Sequence, residues 1–218
     1  MQCCPEPAGY DEVFTRRFSR LVSRRYESRG LSRLARRMVD FLESRGVEGS
    51  TVLDIGGGVG DIPVELLRHG AGSATTLELS SSYDDDAREL IERYGLSDRV
   101  TRRALDIARS SEEVEPADVV VLHRVVCCYP DHVALLSAAG EHARSLLVFS
   151  HPTSNVATHL LLRMENAWHR VRGREFRAWA HDPAEMVRVV EGTGLRQVMS
   201  HRGPMWSAVG FERVPIAG

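Results

Sequence analysis

The chain has 218 residues, with 43% hydrophobic and 27% charged side chains, so it is long enough for one well-buried domain and short for two. Its formal charge is −2, all 28 basic residues are arginine, and the four cysteines fall as two adjacent pairs, Cys3-Cys4 and Cys127-Cys128, without the spacing of a zinc or redox site. No apolar run reaches the length of a membrane span and no secretory leader pattern opens the chain; the expectation is a reduced, cytoplasmic protein of residues 1–218 in a single domain, without membrane or metal partners.

Residues 1–9 read as an irregular lead-in. Val13, Phe14, Phe18, Leu21, Val22 and Tyr26 then recur at helical spacing, Gly30 interrupts, and Leu31, Leu34, Ala35, Met38, Phe41 and Leu42 resume the period up to Gly46. Two amphipathic helices over 10–46 are predicted. Nine arginines fall between Arg16 and Arg37, a face that either meets phosphates or is simply solvated.

Val52 to Ile55 reads as a short buried strand, followed at once by Gly56, Gly57, Gly58 and Gly60 and then by a helical pattern from Ile62. Strand, glycine turn and helix in this order expose backbone N–H groups at a helix N-terminus to a ligand. The dinucleotide fingerprint requires a small residue three positions after its second glycine. Counting from Gly58, that position is Asp61, so the pattern breaks.

The second strand is predicted over 74–79 and carries Glu78, which lies 18 residues beyond Gly60, where an acid meets ribose hydroxyls. Read alone, a residue such as Glu78 is more often just a surface residue at a strand end. Ser80 to Ser82 can cap a helix over 83–94. A third strand over 100–105 leads to Asp106-Ile107, and Asp106 is alternatively an N-cap. The apolar, β-branched run over 118–122 has the character of a central parallel strand, and it delivers His123 through Tyr129 to the side where α/β sheets bind ligands. A helix follows Asp131, a fifth strand spans 145–150, and His151 comes directly after it.

The long segment 153–182 carries helical spacing through Trp168 and then Phe176 and Trp179, which serve either a pocket or the core. Asp182-Pro183-Ala184-Glu185 is a helix start, and two strands over 195–201 and 205–211 close the chain as a hairpin.

The stretch Asp54-Ile55-Gly56-Gly57-Gly58-Val59-Gly60 resembles motif I of the S-adenosylmethionine-dependent methyltransferases with a Rossmann-like fold, and the five strands plus terminal hairpin, covering 47–213, resemble that architecture. The resemblance implies an α/β fold: a seven-stranded, mostly parallel sheet with a terminal antiparallel hairpin, helices on both faces and an N-terminal helical addition that either covers the cofactor cleft or packs on the sheet edge. It implies S-adenosylmethionine as cofactor, with its methionine end on the glycine loop and its cationic amino group served by Asp54. Glu78 would take the ribose, Leu79 would lie against the adenine, Asp106 and the N–H of Ile107 would meet the base, and His123 would sit beside the methionine moiety.

The stretch from His123 to Pro130 is also similar to the magnesium-protoporphyrin O-methyltransferase branch, but Cys128 stands where that branch has histidine, which counts against a porphyrin acceptor. His123, Tyr129 and His151 are the catalytic candidates. Tyr129, His151, Trp168 and Trp179 are the acceptor-binding candidates, with 153–182 as the substrate-lining insertion. The expected activity is methyl transfer to an O or N atom of a small molecule. The alternatives are an RNA methyltransferase using the arginine-rich helices and a non-catalytic cofactor-binding protein, with the oligomeric state open.

Overall fold

The computed structural model describes residues 9–214. The Cys3-Cys4 pair and the predicted lead-in up to residue 8 lie outside the described residues. Seven strands form one sheet: β1 (Thr51–Ile55), β2 (Ser73–Leu77), β3 (Val100–Arg103), β4 (Ala117–Leu122), β5 (Ala143–Pro152), β6 (Leu195–Arg202) and β7 (Trp206–Arg213), in the order β3-β2-β1-β4-β5-β7-β6. The first five run parallel, whereas β7 inserts antiparallel between β5 and β6. The strand order reverses between β1 and β4, which opens a crevice at the carboxyl ends of those two strands.

The sheet separates two cores because successive side chains of a strand point to opposite faces. Val52, Val119 and Val121 pack with α3 (Arg33–Glu43), α4 (Asp61–Arg68) and α5 (Asp84–Arg93) on one face. Leu53, Val120 and Leu122 pack with α6 (His132–His142) and α8 (Pro183–Glu191) on the other. The helix starts follow their caps: the Asp131 carboxylate accepts the N–H of Ala134 at 3.0 Å, and the Asp182 carboxylate accepts that of Ala184 at 3.0 Å ahead of Pro183.

The N-terminal addition contains three helices where the periodicity predicted two. The segment splits into α1 (Tyr10–Val13) and α2 (Arg16–Arg29) because the Thr15 hydroxyl accepts the N–H of Phe18 and starts a new helix. α3 packs on the sheet against β5 and β7, whereas α2 lies against α5 and the turn Ser81–Tyr83. Several arginines of this region meet acids within the chain: Arg16 pairs with Asp85 at 3.4 Å, Arg20 with Asp86 at 3.9 Å and Arg36 with Glu65 at 3.6 Å.

Strand β5 runs past the predicted end at residue 150 because β7 pairs with it as far as Pro152 opposite Trp206. His151 therefore lies inside the strand, paired with Ser207 and buried, and not in the loop that follows. In the segment 153–182 a single helix, α7 (Val156–Val171), is followed by irregular chain.

Candidate cofactor and acceptor site

The glycine loop closes on itself. The N–H groups of Gly56 and Gly57 donate to the carbonyl of Leu77 at 2.7 and 3.4 Å, that of Gly60 donates to the carbonyl of Gly57 at 2.8 Å, and that of Gly58 donates to the Glu78 carboxylate at 2.8 Å. The expectation of bare N–H groups at this turn is corrected for its four glycines, whose N–H groups are all engaged within the chain. Such a turn is poorly suited to a pyrophosphate, which needs donors, and is compatible with a cation, which needs acceptors.

Gly57 lies directly over Asp54, so that a Cβ there would stand 2.0 Å from Oδ2 of that acid. Asp54 is 2% exposed, and burial, reinforced by Asp61 and Glu78 and opposed by Arg102, holds its carboxyl well above the usual carboxylate range. Gly60 has φ +81 and caps α4, which places it outside the cavity lining.

One cavity opens above this loop at the crevice between β1 and β4. Asp54, Gly56, Gly57 and Gly58 of the loop line it together with Glu78, Leu79, Asp106, Ile107, His123 and Tyr129. Glu78 binds two backbone donors, the N–H of Gly58 and that of Ser80, each at 2.8 Å. Burial raises its carboxyl, and these two N–H groups and Arg102 work against that rise.

Asp106 does two things at once. One oxygen accepts the N–H of Ala108 at 3.1 Å, turning the chain after β3, and the other accepts the Tyr129 hydroxyl at 2.8 Å. Burial and this bond to Asp106 both push the Tyr129 phenol up. His123 has its Nδ1 at 3.1 Å from the Ser150 hydroxyl, and burial, with Arg124 adjoining, depresses its imidazole to about 3. Cys128 also faces the cavity, with a thiol raised well above its usual value by its contact with Cys127 and by burial.

Three of the acceptor-side candidates lie elsewhere. His151 is buried in β5 with Nδ1 at 2.9 Å from the carbonyl of Pro152, and it does not line the cavity. Trp168 is 55% exposed on the outer face of α7, with the Arg172 guanidinium 4.3 Å from its ring centre, so it is neither a cavity wall nor core. Trp179 donates its backbone N–H to the carbonyl of Cys127 at 2.7 Å and stacks on His181, again away from the cavity lining.

The walls come instead from the N-terminal segment and from Tyr83. Tyr10, Phe14, Phe18 and Val22 of the N-terminal segment cover the cavity, with Tyr83 beside Gly58. The insertion reaches this cover through Phe176, whose ring meets that of Phe14 edge-on at 5.6 Å and that of Tyr10 at 6.2 Å. Asp61, Arg25 and Arg124 supply charge to the lining. The helical period over Phe14, Phe18 and Val22 was visible, but periodicity does not say which surface a helix covers.

Among the described residues, no group of three or more His, Cys, Asp and Glu side chains is arranged to hold a metal ion, and no helix is long and apolar enough to cross a membrane.

Residues 24–203 match the family model for the methyltransferase domain. Among curated proteins, an arginine N(omega)-methyltransferase of Streptomyces achromogenes subsp. streptozoticus is 34% identical over 119 residues, covering 44% of this chain and 32% of that protein. The chain thus spans about a third of that relative's length.

Among solved structures, magnesium protoporphyrin IX methyltransferase from Synechocystis PCC 6803 with bound S-adenosylhomocysteine superposes with a TM-score of 0.67 at 19% identity, over 83% of this chain and 82% of that one. An O-methyltransferase family protein from Burkholderia thailandensis gives a TM-score of 0.67 at 22% identity, over 90% of this chain and 60% of that one. At these identities the likeness is one of fold. Together with the match over most of the chain, the glycine loop and the seven-stranded sheet, it makes this chain a member of the class I S-adenosylmethionine-dependent methyltransferases.

Proposed function

We propose that the chain transfers a methyl group to an O or N atom of a small molecule held in the cavity between the glycine loop and the N-terminal helices. The observation that carries this reading is the continuity of that cavity: the glycine loop, Glu78 and Asp106 share one space with the aromatic cover of Tyr10, Phe14 and Phe18. A covered, mostly apolar site of this kind suits a small acceptor. Three arginines of the N-terminal helices are paired to acids within the chain, which reduces the cationic face that an RNA would meet.

The donor set fits S-adenosylmethionine. Asp54 and Asp61 line the cavity at the loop where a cationic amino acid would lie and would favour their ionised forms, and the Glu78 carboxylate has acceptor capacity beyond its two N–H partners for ribose hydroxyls. Leu79, Asp106 and Ile107 would hold the adenine. When bound, the cofactor supplies a sulfonium methyl that is already strongly electrophilic.

The work left to the chain is to align the acceptor and exclude water. Phe14, Tyr10 and Phe176 do the second by closing the cover. Neither catalytic candidate that lines the cavity is a strong base: His123 is held neutral down to about 3, and the Tyr129 hydroxyl already donates its hydrogen bond to Asp106. An acceptor that must lose a proton before attack would give it to Asp61, whose carboxyl is raised to about 6.

The test is incubation with methyl-labelled S-adenosylmethionine against a panel of small carboxylic acids, phenols and amines, alongside total RNA. Label in a small product is the expected outcome. Label in RNA alone, or cofactor binding without turnover on any acceptor, contradicts the proposal.

A further inference from the structure

Helix α7 presents to solvent the side that a helix ordinarily buries. The side laid on the chain carries Thr158, Leu162, Asn166 and His169, of which Thr158 and His169 are buried and the other two half-buried. On the opposite side Val156, Leu160, Leu161, Met164, Trp168 and Val171 are exposed, Val156 to 86% and Met164 to 63%. With about 100° between successive residues, these six fall within an arc of about 140°. The Asn166 side chain fixes the helix in this orientation, donating to the carbonyl of Ala178 at 2.7 Å and accepting its N–H at 2.8 Å. The turn between β6 and β7 flanks the helix start, where the Asn155 side chain donates to the carbonyl of Pro204 at 3.2 Å and the neighbouring Met205 is exposed.

Three arginines border the apolar arc, Arg163 and Arg170 on one flank and Arg172 on the other, against a single acid, Glu165. Among the described residues none of the three forms an ion pair. A contiguous exposed apolar surface of this kind marks an interaction site. It is a convex ridge, so it does not supply the groove that receives a partner's helix. A second copy across a two-fold axis would bring the same arginine excess against itself. A planar anionic surface answers both features, because acyl chains take the ridge and headgroup phosphates take the arginines, with a tryptophan at the boundary.

We propose that α7 lies on the surface of a bilayer containing anionic phospholipid, with its apolar ridge below the headgroups and Arg163, Arg170 and Arg172 among them. The contact is one of lying on the membrane, not of spanning it. Through Asn166 and Ala178 the docked helix is joined to the segment that carries Phe176 into the cover of the cavity.

The test is co-flotation of the full chain with vesicles of phosphatidylcholine alone and of phosphatidylcholine mixed with phosphatidylglycerol, at low and at raised salt. The wild-type chain should bind the anionic vesicles about tenfold or more tightly than the neutral ones, and raised salt should weaken that binding. Leu160→Glu and Met164→Glu should each lower it by about tenfold or more. Arg163→Gln combined with Arg170→Gln should remove most of the preference for anionic lipid. Brominated lipid should quench part of the wild-type tryptophan fluorescence, and Trp168→Phe should abolish that quenching. All these positions are exposed, so melting temperatures near the wild-type value separate lost binding from lost fold.

A wild-type chain that does not bind the anionic vesicles overturns the inference, and so does binding that survives Leu160→Glu and Met164→Glu. A lipid-free dimer in sedimentation that Met164→Glu disperses also overturns it, and assigns the ridge to a second copy of the chain.

Discussion

The carboxylate of Glu78 accepts the backbone N–H of Gly58 at 2.8 Å, so the acid at the end of β2 holds the apex of the glycine loop after β1. A residue expected to meet a ribose is thus also part of the loop's own scaffold, and its second oxygen binds the N–H of Ser80. Glu78→Ala leaves two buried donors without partners as well as removing a ligand contact. The expected result is a loss of about 1–3 kcal/mol in S-adenosylhomocysteine affinity by calorimetry, with a lowered melting temperature. An unchanged dissociation constant removes Glu78 from the site.

Gly57 is required by its neighbour below. Any side chain there meets the Asp54 carboxyl and the Thr76 methyl, with Cβ distances of 2.0 and 2.6 Å. Gly57→Ala should therefore destabilise the fold by about 1–3 kcal/mol in a denaturant titration, because the buried acid beneath it has no room to withdraw. Wild-type stability in that variant contradicts the packing described for the loop.

Asp61 opens α4 with its carboxyl raised from the ordinary 3.8 to about 6, chiefly by burial, with Glu65 adding and the Ile62 N–H and Arg124 opposing. The folded chain therefore binds this proton more tightly than the unfolded chain does. Its contribution to stability is complete below about pH 4 and is lost as pH rises through about 6. Denaturant titrations across that window should show wild-type stability falling relative to Asp61→Asn. Parallel curves for the two proteins would refute the assignment.

His123 is the cavity's histidine, and burial with the adjoining Arg124 depresses it from 6.5 to about 3. Nuclear magnetic resonance on histidine-labelled protein should show one ring, absent from His123→Gln, that does not titrate between about pH 5 and pH 8. A midpoint near the ordinary value of 6.5 would restore His123 as a base.

The sheet was legible because its signals are local. A β-branched apolar run marks β4, glycines follow β1 at once, and Glu78 and Asp106 come just after β2 and β3. The lid was not legible, because Phe14, Phe18 and Val22 show the same period whether a helix covers a cleft or a sheet edge. Trp168 illustrates the converse. Its stripe on α7 has the spacing of a core face, yet Val156, Leu160, Met164 and Trp168 are exposed. His151 was misplaced relative to its strand because β5 is lengthened by pairing with β7, and Arg124 was passed over because a strained φ leaves no mark in the residue type.

The central claim is that the cavity above the glycine loop seats the adenosyl amino acid. A crystal structure of the chain with S-adenosylhomocysteine tests it most directly. The predicted result places the amino-acid end of the ligand over Gly56 to Gly58, its ribose on Glu78, and its sulfur facing the space walled by Tyr10 and Phe14. A ligand found outside this cavity, or one whose ribose makes no contact with Glu78, contradicts the account.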